Sequence, residues 1–158
     1  MSAPAPRWRL VLDTNVVLDL LHFADAMVAP IRSAIESGNA QCYASQTTLN
    51  ELGRVLTYPA FRLDEPAQVA LRARYQLWVG EPEVVTISAR LPRCIDPDDQ
   101  MFLELAASCR ADLLISKDKA LLALKRQAAG FKIVTPGEAA AFLTAHPDST
   151  LDVCATAP

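Results

Sequence analysis

The chain has 158 residues, with 15 Lys and Arg against 18 Asp and Glu, a formal charge of −3, 51% hydrophobic residues and 21% charged ones. That length fits one domain with a full core, and the composition excludes a disordered or disulfide-stapled chain. No apolar run reaches the roughly 18 residues a membrane span needs, the first six residues lack the apolar stretch of a secretory signal, and the acidic balance argues against a strongly basic, nonspecific nucleic-acid binder.

A cytoplasmic protein is therefore expected. Cys42, Cys94, Cys109 and Cys154 form no C-x-x-C pair, and in that compartment they are expected as reduced thiols. His22 and His146 are the only histidines, which leaves little for imidazole-based metal or proton chemistry.

Residues 1–7, with Pro4 and Pro6, read as a flexible N-terminus. Trp8–Leu12 is a short apolar run, a buried strand candidate. Helical patterns follow over about Asn15–Leu21 and Asp25–Ser37, closed by the turn residues Gly38 and Asn39. Gln41–Ala44 is a second strand candidate. Ser45 can cap a helix to about Thr57, ended by Tyr58-Pro59, and Asp64-Glu65-Pro66 opens another to about Val79. Glu83–Ile87 is β-branched and strand-like. Asp96-Pro97 begins a helix to about Cys109, with Asp96 as its cap and Asp99 in its first turn. Ala111–Ile115 is a third buried strand, Ser116 to about Gln127 a helix, Lys132–Val134 a strand, and Pro136 opens a last helix to about Ala145. Residues 147–158 read as an irregular tail. Short apolar strands alternating with helices imply an α/β domain over 8–146 with a mainly parallel central sheet flanked by helices.

In such folds sites form beyond the carboxyl ends of the strands. Asp13 directly follows the first strand, and Asp118 lies three residues beyond Ile115. Glu51 sits on a helix beside its buried stripe of Thr48, Leu49, Leu52, Val55 and Leu56, and Asp99 lies in the first turn after Asp96-Pro97. Singly, each acid has a plain structural role as a helix cap, a dipole partner or a solvated side chain. Jointly, four carboxylates at one sheet edge repel unless cations sit among them. Oxygen donors without His or Cys suit Mg²⁺ or Mn²⁺, and such ions equip a site for phosphodiester hydrolysis.

The run VLDTNVVLDLL (Val11–Leu21) resembles the opening motif of the PIN-domain family. SQTTLNELGRVL (Ser45–Leu56) resembles its second motif, a helix carrying one Glu. CIDPDDQMFLELAASCRADLLISKDKALL (Cys94–Leu122) resembles the third and fourth, and IVTPGEAAAFL (Ile133–Leu143) the closing strand and helix. The likeness spans roughly residues 8–145 and implies a three-layer, Rossmann-like sandwich. It implies that Asp13, Glu51, Asp99 and Asp118 are the metal-binding, catalytic acids. Thr14, Asn15 and Ser116 are implied as supporting residues. Asp96 and Asp98 crowd the third position, so its assignment can slip by one; the helix start at Pro97 favours Asp99, with Asp96 as the cap and Asp98 turned away. Where the family has Thr-Gly or Thr-Arg before the fourth acid, this chain has Ser116-Lys117, so Lys117 is expected at the substrate phosphate, with Arg54 as a second substrate-binding cation.

The branch it most resembles, single-domain prokaryotic toxins of toxin–antitoxin pairs, implies a Mg²⁺-dependent endoribonuclease cutting single-stranded RNA to leave a 5′-phosphate. An antitoxin protein and a homodimer are the implied partners. The alternative is the same fold as a catalytically weak module acting through RNA or protein binding. A phospho-acceptor signalling domain fits less well, because Asp13 is followed by Thr14 and Asn15 rather than a second acid. Arg62, Arg72, Arg74, Arg93 and Lys119 can line an RNA path or be scattered solvated charges. Trp8, Trp78, Tyr43, Phe102 and Phe142 are expected in packing rather than base stacking.

Overall fold

The computed structural model describes residues 8–23, 25–86, 90–128 and 130–146. The expected loose N-terminus, the tail with Cys154, and residue 87 of the Glu83–Ile87 strand candidate lie outside the described residues. Four parallel strands form one sheet: β1 (Trp8–Leu12), β2 (Ala40–Tyr43), β3 (Leu113–Ile115) and β4 (Lys132–Val134), in the order β2-β1-β3-β4. The strands read as apolar runs because both faces of the sheet are covered. Side chains alternate along them. Leu10, Leu12, Leu113, Ile115 and Val134 point into one core, and Val11, Leu114 and Ile133 into the other.

The first core is closed by α1 (Thr14–Leu21), α2 (Ala29–Glu36), α3 (Gln46–Leu56), α4 (Glu65–Val79) and, at the chain's far end, a helix over Pro136–Ala145. The second is closed by α5 (Gln100–Ser108) and α6 (Lys119–Leu122); the Pro136–Ala145 helix is α7. This is the expected three-layer α/β sandwich. Fully buried Leu10, Leu18, Leu52, Leu103 and Leu114 anchor the layers, each side chain contributing roughly 1.5–3 kcal/mol. Among the described residues no single helix is long and apolar enough to cross a membrane.

Caps set several boundaries. Ser45 and Thr48 close a reciprocal capping box at the start of α3, as Thr135 and Glu138 do for α7, and Asp64 caps α4.

Four expectations need correction. The helix read over Asp25–Ser37 is two pieces, a 3₁₀ turn at Ala26–Val28 and then α2, with Pro30 in the first turn of the latter. The strand read over Glu83–Ile87 is, over residues 83–86, a single parallel bridge from Glu83 to Ser45. Val84 there is exposed and has no core face to bury. The helix read from Ser116 shrinks to α6 because the Ser116 N–H is still bonded to Val134 O across the sheet edge at 2.9 Å, and Asp118 is the residue that caps it. The helix after Asp96 opens as a 3₁₀ turn (Pro97–Asp99), which makes Asp99 the residue before α5 rather than its third.

Candidate metal centre

The register of β1 against β3 pairs Leu12 with Ile115, so the residues that leave these strands emerge side by side. Asp13 caps α1, its Oδ1 accepting from the Val16 N–H at 3.0 Å. Its Oδ2 accepts from the Ser116 hydroxyl, and that same hydroxyl oxygen accepts the Asp118 N–H at 2.9 Å. Ser116 is fully buried and Asp13 only 4% exposed. Burial pushes the Asp13 carboxyl up. The hydrogen bonds from Ser116, Val16 and Asn15 pull it back, and the Asp118 charge adds to the rise.

The third acid arrives from the opposite layer. Asp96 caps the 3₁₀ turn by accepting the Asp98 N–H at 3.0 Å. The turn swings Asp99 toward Asp118, whose own Oδ1 accepts the Ala120 N–H at 2.7 Å. One carboxylate oxygen from each of Asp96, Asp99 and Asp118 lies within 4.8 Å of the others. Asp99 is pushed up to about 7, by burial first and then by the Asp118, Asp96 and Asp13 carboxylates around it. Its Oδ2 is buried with no hydrogen-bond partner.

A buried, unsatisfied carboxylate oxygen is costly, and one facing other carboxylates is doubly so. An oxygen-only donor set of this kind fits a hard divalent cation such as Mg²⁺ or Mn²⁺. Asp96, Asp99 and Asp118 can hold it directly. Asp13 stands beside them, and its hydrogen-bonded oxygens retain lone pairs for a ligand.

A cleft of about 300 Å³ opens over these acids, lined also by Thr14, Asn15, Glu51, Arg54, Tyr58, Phe61, Asp98 and Phe102. Of the residues singled out from sequence, Asp13, Thr14, Asn15, Glu51, Arg54, Asp96, Asp99 and Asp118 all face it, with Ser116 beneath. Glu51 stands outside the tight acid group because its Oε1 accepts from Arg54 Nε and Nη2, at 3.1 and 2.6 Å. Lys117 does not line the cleft. Its ammonium is 2.7 Å from Asp19 on α1, so the expected role at the substrate phosphate is replaced by a structural ion pair. Asp98, expected to turn away, lines the cleft, as do Tyr58, read from sequence only as part of a helix stop, and Phe61, which the sequence did not single out.

A larger cavity, about 560 Å³ along the β4 edge near Phe131 and Phe142, gathers no such cluster; the chemistry, not the volume, marks the site.

The fold is an α/β sheet with carboxylates drawn together at its strand ends, an arrangement that could hold a metal ion. A family model described as PIN domain matches residues 9–120, more than half of the chain. The chain belongs to the PIN-domain family, whose members are generally nucleases and typically use divalent metals. No curated protein and no solved structure matches it.

Proposed function

We propose that the protein is a Mg²⁺- or Mn²⁺-dependent endoribonuclease acting on single-stranded RNA. The observation that carries this reading is the partnerless, buried Asp99 Oδ2 among Asp96, Asp118 and Asp13. A divalent cation bound there lowers the pKa of water and stabilises negative charge on a phosphate. The protein's own residues set the frame. Ser116 fixes Asp13 and the Asp118 backbone together, Asp96 locks the turn that delivers Asp99, and burial shields Asp13 from bulk water. The four acids expected from sequence, Asp13, Glu51, Asp99 and Asp118, are proposed as the catalytic set, with Asp96 added to the ligand group. Arg54 keeps its proposed place at the substrate, as the cation nearest the strand's backbone.

Within this reading the protein acts in the cytoplasm as the toxin of a toxin–antitoxin pair, held by an antitoxin protein and assembled as a homodimer. Release of active nuclease on removal of a co-purifying small protein, and a dimeric mass in solution, are the corresponding expectations.

The primary test is cleavage of an end-labelled RNA oligonucleotide beside a DNA oligonucleotide of the same sequence. RNA cleavage with Mg²⁺ that stops with EDTA and in Asp13→Asn supports the reading. Cleavage unchanged in Asp13→Asn overturns it.

A second reading, a catalytically weak binding module, draws on the Arg54 grip on Glu51, which takes one expected acid out of the group. Calorimetry showing no uptake of Mg²⁺ or Mn²⁺ would favour it.

A further inference from the structure

We propose that Tyr58, Phe61 and Phe23 form a nucleobase-stacking ledge beside the acids, which seats the base of a nucleotide adjoining the bond to be cut; this rests on the nuclease reading above. Tyr58 and Phe61 line the same cleft as Asp13, Asp99 and Asp118. Phe23 continues the surface, its ring 6.1 Å from Phe61, with the His22 ring 4.6 Å from Phe23. Tyr58 is 40% exposed and Phe23 55%, so these two rings are not spent on the core, while Phe61 between them packs partly against it.

The ledge is rigid. Pro59 opens a 3₁₀ turn that ends with Arg62 in the left-handed region at φ 53°, an uncommon conformation for a residue with a side chain. The Arg54 guanidinium donates to the Tyr58 hydroxyl at 2.7 Å and, on its other side, to Glu51. One guanidinium thus spans the interval between the aromatic surface and the acidic one.

The acids repel a phosphate backbone, and the chain carries a net charge of −3, so a contact that needs no positive charge is useful beside them. A planar base stacked on aromatic rings adds affinity without positive charge, and it does so only when unpaired, which selects single strands.

The test uses end-labelled 12-nucleotide RNAs, each with one abasic position, cut by the full-length protein in Mg²⁺. In the wild type, one abasic position is expected to lower kcat/KM roughly ten-fold, mostly through KM, at a bond a fixed number of nucleotides away. In Tyr58→Ala the intact RNA is expected to suffer a similar loss, and the abasic penalty disappears. In Tyr58→Phe, which keeps the ring and loses the bond to Arg54, the abasic penalty is expected to persist. Cleavage equally efficient in Tyr58→Ala, or an abasic penalty that persists there, overturns the ledge alone and leaves these rings to a protein contact. A Tyr58→Phe variant that loses the abasic penalty as Tyr58→Ala does overturns it too, because the hydroxyl rather than the ring then matters. No cleavage of any RNA by the wild type overturns both the ledge and the nuclease reading.

Discussion

Helix α1 begins with one buried carboxylate and carries another two turns along, and their surroundings differ. Asp19 is answered by a cation of its own, the Lys117 ammonium at 2.7 Å. Asp13 meets a hydroxyl, a backbone N–H and, around it, more acid. The stretch Ser116-Lys117-Asp118 explains both. It leaves β3 in extended form, so alternate side chains point opposite ways: Ser116 and Asp118 toward the cleft, and Lys117 back to α1. The nearest lysine in sequence is thereby kept out of the acid group. A fold that neutralises Asp19 internally leaves Asp99 with an unsatisfied buried oxygen. The difference marks one region as structural and the other as built for a ligand from outside.

The sharpest break of this contrast is Asp99→Asn. It is expected to abolish metal-dependent cleavage, by roughly 10³-fold or more if the cation supplies several kcal/mol to the transition state. Because it also removes a charge from among like charges, thermal stability without metal is expected to rise or hold, which a melting curve in EDTA checks. The matching change on the other side, Lys117→Met, is expected to do the reverse. It leaves Asp19 buried without its cation and costs about 1–3 kcal/mol of stability, while the affinity for Mn²⁺ stays within about two-fold of wild type because Lys117 takes no part in the cleft.

Ser116→Ala tests the joint between the acids. Loss of a hydroxyl that orients two candidate ligands is expected to lower metal affinity or activity about 10–100-fold, read by calorimetry and initial rates.

The pH dependence has a defined sign. Asp99 binds its proton more tightly folded, with a pKa of about 7, than in an unfolded chain, where it lies near about 3.9. Its contribution to metal-free stability is therefore present in full below about pH 4 and is lost as pH rises through about 7. Over the same window metal affinity rises, because the ion competes with that proton. Melting curves at pH 5 and pH 8 are expected to show the larger Mg²⁺-induced stabilisation at pH 8.

The smallest effect expected is that of Arg54→Ala on stability, a change near the limit of what a melting curve resolves, because Arg54 is solvent-exposed. Its use lies in freeing Glu51: a gain in Mn²⁺ affinity would add Glu51 to the ligand group.

Much of this was legible in the sequence, for local reasons. β1, apolar but for Arg9, and β4, apolar after Lys132, are ended by Asp13 and Thr135, and α4, α3 and α7 begin at side chains that cap them. The acids were legible as residues beyond strand ends, since a parallel sheet brings those ends together. What could not be read depended on contacts distant in the chain. The Lys117–Asp19 pair joins residues far apart in sequence, and nothing near Lys117 announces it. The length of α6 depends on a Ser116 bond to Val134 across the sheet. The position of Asp99 turned on a 3₁₀ turn replacing a helical one, a difference of one hydrogen bond at Pro97. Arg54 with Glu51 is an i,i+3 pair and was open to a sequence reader; Tyr58 was read only as part of a helix stop, and Phe61 was not singled out.

The most direct measurement is calorimetric titration of Mn²⁺ into the metal-free protein and into Asp99→Asn, near pH 7 in two buffers of different protonation enthalpy. Saturable binding by the wild type with proton release, and none by the variant, is the result expected. Equal binding by both proteins, or no binding by the wild type, would contradict a cation held among these carboxylates.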